Sequence, residues 1–434
     1  MDKFNSLYQQ SKETESTWIN SLKSFNDIHA DDRAFEKIYG NDNKFKFDSN
    51  LFDILKRELD GQVQISDKPS SAAIYQTLVA LRISLREQIP QEESLLIQNI
   101  GNFFKLGNIG ENEKTNIYSD EIREEALKSL LNCTTRNKRL QATFDTEMNG
   151  PHLLTKELIN GLDDKVALPI YKILIHRCTL PETRAIVCQA GIMDHLINQL
   201  EVRTTGANFD PSTILGDLFR LTFTATMHLG QLDKSGGKTT DPSDKEIEQC
   251  RKFFPIYKRI FTYHCDRDHP MYAIKMAVIS ALLNTPKQLL EELLDEVDLS
   301  YLEDILKSQS YFADKPEGPG ELIPILMLLT NITQYIKATR DRLFVYTFPE
   351  ELTKVTDEAV GITIETPKAA LQHDTVSSKL IPLMTASDIG LKHFVSEFFY
   401  YICDEDPNEI CRVTGYGNAA GLLAMKGLLS LGGQ

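Results

Sequence analysis

The sequence predicts an all-α fold built from repeated helical units, on three observations. Apolar residues recur at helical spacing: Leu391, Phe394, Val395, Phe398, Phe399 and Ile402 follow the i, i+3, i+4, i+7, i+8, i+11 order of an amphipathic helix. Convincing period-two alternation, the mark of a half-buried strand, does not recur. The helical cores also return about every 46 residues, the period of armadillo and HEAT-type repeats. One such unit cannot bury its apolar face alone. Neighbours therefore stack into a continuous core, an armadillo/HEAT-like superhelix with a concave partner-binding groove.

The elements follow in order. The N-terminus, "MDKFNSLYQQSKETESTWINSLKSF", is polar and mixed in charge, with no apolar signal core, and it holds the single tryptophan, Trp18. Repeat cores come next at "LVALRISLREQI", "ALKSLLNCTTRN" (with the stripe Leu127, Leu130, Leu131, Thr134), "YKILIHRCTLPE", "LFRLTFTATMHL", "VISALLNTPKQL" and "ILMLLTNITQYI". One gap is widened by a polar insertion at 231–247, and a second loop covers 350–377. "MYAIKMAVISALLN" and "ELIPILMLLTNITQYI" are apolar nearly all round, so other helices must cover them on most sides. The array is expected over 1–409, with a C-terminal turn and helix over 410–434.

Composition excludes several functions. The formal charge is -15 and no long basic run exists, which disfavours nucleic acid as the main partner. No apolar run is long enough to span a bilayer. Seven cysteines, an odd count without a CxxC pair, suit reduced thiols and the cytoplasm.

Three motifs imitate known sites. "TGYGNAAGLLA", from Thr414, places Gly415, Gly417 and Gly421 one residue too wide for a dinucleotide fingerprint, and helix rather than strand precedes it. It reads as a turn between helices. Gly415 and Gly417 permit positive φ, Asn418 caps the next helix, and Gly421 lets another backbone come close. "SGGKTT" at 235–240 has Leu232 where a phosphate-binding loop needs its first glycine. His264, Cys265, Asp266 and His269 lack the second ligand pair of a zinc site. No serine or cysteine nucleophile has a placed base. Neither metal nor cofactor is expected, and no enzyme.

Arg82 and Arg86 in "LRISLREQI" are spaced i, i+4, which on a helix puts both guanidiniums on one face. In a repeat groove such a pair clamps carboxylates of a bound segment. Lys128 and Asn132 hold the corresponding place one repeat later. On spacing alone a solvated helix face is the plainer reading. Asn284 and Asn331 sit in similar contexts, where a buried Asn satisfies backbone groups between repeats.

"LIPLMTASDIGLKHFVSEFFYYICDEDPNEICRVTGYGNAAGLLAMKGLL" resembles the C-terminal part of synembryns, the chaperones and exchange factors of heterotrimeric G-protein α subunits. The likeness is strong over residues 376–429 and weaker but collinear over "LRISLREQI", "EEALKSLLN", "AVISALLNTP" and "ATRDRLFVYTFPEEL". It implies an armadillo/HEAT-like superhelix whose groove takes the C-terminal helix of a GDP-bound α subunit, releases GDP and holds the nucleotide-free state until GTP binds. It implies groove contacts at Arg82, Arg86 and Asn132, with Lys128 beside them, and a partner contact at Thr414, Gly415, Tyr416, Gly417, Asn418 and Gly421. It implies a place in the cytoplasm or at the cell cortex and no nucleotide bound by the chain itself; separately, a capped repeat array suits a monomer. Animal synembryns continue into an acidic, phosphorylated tail; this sequence stops at "GLLSLGGQ", so the resemblance does not carry over activation of that kind. The competing reading is an armadillo-type scaffold that binds helices without driving exchange. The single tryptophan already disfavours the repeated Trp/Asn groove of import receptors.

Overall fold

The computed structural model describes residues 1–10, 15–33, 35–60, 69–110, 118–205, 212–230, 241–313, 315, 317–349, 354–357, 362–365 and 374–428. These residues form the expected helical fold, with one two-stranded hairpin added. They divide into two compact units, Met1–Leu196 and Ile197–Gln434. The expected C-terminal element, 410–434, falls within the second.

The first unit opens with α1 (Asp2–Gln10), α2 (Glu15–Ile28), α3 (Phe35–Tyr39) and α4 (Asn41–Leu59). Trp18 is 1% exposed, edge-on to Phe4 and Tyr8 at 6.1 and 5.6 Å between ring centres, and Phe47 meets Phe4 at 5.3 Å. This aromatic cluster supplies a core where the repeat pattern is weakest.

There follow α5 (Ser71–Ser84), α6 (Glu93–Leu106), α7 (Asp120–Arg136), α8 (Lys138–Ala142), α9 (Gly150–Asn160), α10 (Asp164–Arg177), α11 (Pro181–Gln189) and α12 (Ile192–Thr204), within which the two units meet in sequence. Local chemistry sets their ends. The Ser70 hydroxyl accepts from the Ala73 amide at 3.2 Å and starts α5. Asp120 and Glu121 lie in the first turn of α7 and Arg136 in its last, each favourable to the helix dipole. α5, α7 and α10 pack one upon the next, with α4 against α5, α6 against α7 and α9 against α10. This is the paired-helix stacking that the repeat period predicts.

One ionic cluster lies wholly inside this unit. Lys44 Nζ sits 3.0 Å from Asp48 Oδ2 and 2.5 Å from Glu92 Oε1, and all three side chains are fully buried. Glu92 belongs to a 3-10 turn, Pro90–Glu92, and its other oxygen accepts from the Ile89 amide at 3.1 Å. Burial, and then the charge of Asp48, pushes the Glu92 carboxyl up to about 9. One ammonium thus balances one carboxylate, Asp48, and the second carboxyl stays protonated.

The second unit contains α13 (Thr213–Thr226), α14 (Asp244–Thr262), α15 (Pro270–Leu282), α16 (Leu290–Glu296), α17 (Leu299–Ser310), α18 (Gly318–Tyr335), α19 (Lys337–Thr347), β1 (Lys354–Asp357), β2 (Ile362–Glu365), α20 (Val376–Leu380), α21 (Ile389–Ile402), α22 (Pro407–Thr414) and α23 (Tyr416–Met425). α13, α15, α18 and α21 pack in succession, with α14 against α15, α17 against α18 and α19 against α21. Val395, Phe398 and Phe399 of the predicted stripe are fully buried.

Two loop expectations need correction. The 231–247 insertion is shorter than the composition suggests, because Ser243 and Glu246 form a reciprocal cap that starts α14 at Asp244. Residues 231–240, which include "SGGKTT", lie outside the described residues. Within 350–377, β1 and β2 pair antiparallel, Lys354 opposite Glu365 and Val355 opposite Ile364, and α20 begins at Val376. The β-branched residues Val355, Thr356, Ile362, Thr363 and Ile364 favour strand geometry in a stretch otherwise read as polar.

Candidate partner-binding site

α5, α7 and α10 expose side chains into one cavity of about 230 Å³, lined by Arg82, Arg86, Lys128, Leu131, Asn132, Leu168, Pro169 and Lys172. The four groove residues expected from the sequence therefore meet in one place. The i, i+4 argument for the arginines does not survive: α5 ends at Ser84, and Arg86 lies in the turn that follows. Leu85 keeps the apolar rhythm, so periodicity alone carried the helix too far. Arg86 reaches the cavity from that turn rather than from a helix face.

Sequence reasoning missed Lys172 and the apolar wall of Leu131, Leu168 and Pro169. A signal existed. The repeat step that leads from Arg82 to Lys128 leads on, one unit later, to Lys172. Pro169 lies inside α10, where it cannot donate a helical hydrogen bond.

The cations are held by a small number of contacts. Glu125, 5% exposed, receives Arg82 Nε on Oε2 at 2.6 Å and Lys128 Nζ on Oε1 at 2.8 Å. Lys128 also reaches Glu124 at 2.8 Å. Burial acts against the Lys128 charge, but its bonds to Glu124 and Glu125 outweigh burial and raise its pKa. Arg86 donates through Nη1 to the Ala30 and Asp32 carbonyls. Desolvation, then the charges of Arg82 and Arg33, lower the Arg86 pKa. The like charges crowd one another, so a bound carboxylate relieves the repulsion and adds charge-assisted hydrogen bonds.

Asn132 is partly committed to the fold. Its side-chain amide donates to the Arg82 carbonyl at 2.7 Å, and Gln88 in the turn donates to the Asn132 carbonyl at 2.7 Å. Asn284 makes the equivalent bond in the second unit, to the Phe223 carbonyl at 2.7 Å, as expected of an Asn that satisfies backbone between repeats. His269 caps α15, its Nδ1 accepting from the Met271 amide at 3.1 Å.

The C-terminal motif forms the predicted helix–turn–helix, with three corrections. Thr414 ends α22 fully buried, its hydroxyl on the Ile410 carbonyl at 2.7 Å. Gly415 alone has positive φ, +84°, and the reversal of direction needs it; Gly417 is an ordinary helical residue of α23. Asn418 does not cap α23, which begins two residues earlier. It lies inside that helix and donates back to the Thr414 carbonyl at 2.8 Å, satisfying the end of α22. Among the described residues no backbone approaches Gly421, and a Cβ there, or at Gly417, would meet none of their atoms within 4 Å. Ala419, Leu422 and Leu423 face inward, while Tyr416 and Met425, each 62% exposed, flank the two bare glycines outside.

The family described as "Guanine nucleotide exchange factor synembryn", Ric8, matches residues 77–433. The "Chaperone Ric-8A" of Xenopus tropicalis is 28% identical over 211 residues, 45% of this chain and 37% of that protein. The "Chaperone Ric-8B" of Mus musculus is 38% identical over 111 residues, 26% of this chain and 19% of that protein. The aligned part thus spans well under half the length of either relative. An engineered protein of known crystal structure overlies the whole chain and 85% of its own length, with a TM-score of 0.58 and 14% identity, a likeness of fold alone.

Proposed function

The chain belongs to the Ric8 family of synembryn-type guanine nucleotide exchange factors, and from that premise we propose that it is a non-enzymatic exchange factor and folding chaperone for heterotrimeric G-protein α subunits. It binds the GDP-bound subunit through that subunit's C-terminal helix, releases GDP and stabilises the nucleotide-free state until GTP binds. The observation that supports this reading best is the cavity where Arg82, Arg86, Lys128 and Lys172 converge beside Leu131, Leu168 and Pro169. A helix that ends a chain carries a negative dipole end and a free α-carboxylate together. Cations beside an apolar wall suit that end better than they suit the body of a helix. The exposed face of α23 around Gly417 and Gly421 makes a second contact with the same partner. The protein works as a monomer in the cytoplasm or at the cell cortex.

The energetics follow from differential binding. A factor that grips the C-terminal helix only when that helix has left its seat favours the open, GDP-releasing state. Moving a 1:99 equilibrium to 99:1 takes about 5.5 kcal/mol of preference for the open state. No bond is made or broken in this step.

The test is the rate of GDP release from a purified α subunit with and without this protein, repeated with a subunit lacking its last residues. Acceleration that disappears with the truncation supports exchange through the C-terminal helix. Binding with an unchanged release rate leaves a scaffold or a chaperone only.

A further inference from the structure

The guanidinium of Arg86 is steered by a part of the chain that precedes the family match, which begins at residue 77. Its Nη1 donates to the backbone carbonyls of Ala30 and Asp32, in the loop between α2 and α3. Among the described residues both bonds fall on this one nitrogen, which leaves Nε and Nη2 of the five-donor fork for a ligand. The two carbonyls have their own support. His29, 8% exposed, holds the Asp32 carboxylate on Nδ1 at 2.6 Å and the Tyr39 hydroxyl on Nε2 at 2.6 Å. The ring therefore links Asp32 to Tyr39 through its two nitrogens. The His29 ring is wedged between Phe25 and Phe35, at 4.7 and 5.8 Å between centres. The chain from Tyr39 through His29 to Asp32 closes the loop over itself and fixes the direction of its carbonyls.

We propose that the Tyr39–His29–Asp32 relay is a positioning device for partner recognition: through the Ala30 and Asp32 carbonyls it orients Arg86 toward the α-carboxylate at the end of the bound helix. The inference rests on the function proposed above and adds to it residues that the family match does not include. Groups that aim a charged donor in this way set how well it discriminates, because a guanidinium free to swing loses its geometric preference for a carboxylate. Asp31, next to these carbonyls, adds a negative charge that favours the charged form of Arg86. It therefore supports the arginine rather than blocking it.

The experiment uses the full chain and two synthetic peptides with the terminal sequence of a G-protein α subunit, one with a free C-terminal carboxylate and one amidated. Calorimetric titration gives the affinity ratio between them. Wild type is expected to prefer the free carboxylate. Tyr39→Phe, which removes one hydroxyl and no packing, is expected to reduce that preference by about five-fold while the amidated peptide binds as before. His29→Ala is expected to do the same more strongly, with its fold verified by circular dichroism. An unchanged preference in Tyr39→Phe overturns the proposal. So does an equal loss for both peptides, which would mark the relay as merely structural. If wild type itself shows no preference for the free carboxylate, the reading of the cavity fails, and that result is distinct from failure of the relay.

Discussion

Asn132 of α7 donates its side-chain amide to the main-chain carbonyl of Arg82 on α5, at 2.7 Å. The bond satisfies a carbonyl in the last turn of α5, and it ties a candidate partner residue to the stability of the helix pair that carries the site. Structure and recognition cannot be separated at this position by a simple deletion.

Removing that amide should therefore destabilise the protein. Asn132→Ala leaves the Arg82 carbonyl short of a partner, at a cost of about 1–3 kcal/mol. Asn284→Ala should cost a similar amount, since Asn284 serves the Phe223 carbonyl in the same way. Urea denaturation of the two variants checks this. A loss of stability in one and not the other would break the equivalence.

Lys172 offers a second probe of recognition. It lines the cavity from α10. Lys172→Ala is expected to weaken binding of the α subunit about three- to ten-fold, mainly through a slower on-rate, and to reduce the salt dependence of binding. Association kinetics at two salt concentrations read this directly, and an unaltered salt dependence would remove Lys172 from the site.

The buried Lys44–Asp48–Glu92 cluster predicts a pH dependence of stability. Glu92 has its pKa raised from 4.5 to about 9 on folding. Between those values the folded state keeps a proton that the unfolded chain has lost, so stability falls as pH rises. The slope from this one group is at most about 1.4 kcal/mol per pH unit. The contribution is fully present below 4.5 and gone above about 9. Glu92→Gln, which keeps the shape without a titrating proton, should show a flatter profile and greater stability than wild type at pH 8. Parallel profiles would refute the neutral carboxyl.

The glycines of the C-terminal motif should separate by role. Gly415→Ala puts a Cβ on a residue at φ +84°, ψ 139°, a conformation that L side chains rarely adopt, and should destabilise the turn by about 1–3 kcal/mol. Gly417→Ala and Gly421→Ala add a Cβ on a helix where none of the described residues stands in the way. Each should stabilise α23, by up to about 1 kcal/mol. If the bare face meets the partner, the same two variants should exchange GDP more slowly despite melting at a higher temperature. Unchanged exchange would take α23 out of the contact.

Much of the fold was legible because helical periodicity reports burial directly. Val395, Phe398 and Phe399 are where the pattern placed them. What periodicity cannot see is where a helix stops for reasons outside its apolar face. Leu85 continues the rhythm of α5, yet the turn through Arg86, Gln88 and Glu92 is set by contacts with the loop between α2 and α3, with α7 and with α4, all far away in sequence. Asn418 was misread for a related reason. A polar residue near a helix start suggests a cap, and only the backbone shows that it serves the preceding helix. In the candidate site the cations were readable one repeat at a time, while the apolar wall and the His29 relay depend on tertiary contacts. The hairpin was missed because two four-residue strands carry too little alternation to stand out.

Trp18, the chain's single tryptophan, is enclosed by Phe4 and Tyr8, and its indole N–H has no hydrogen-bond partner among the described residues. Selective excitation near 295 nm therefore reads out one location, the aromatic cluster of the first four helices. An indole in such dry surroundings emits far to the blue and is poorly reached by iodide or acrylamide. The protein thus carries its own optical gauge of N-terminal order, the region that aims Arg86, and loosening of that region by heat, denaturant or partner should register as a red shift with no label attached.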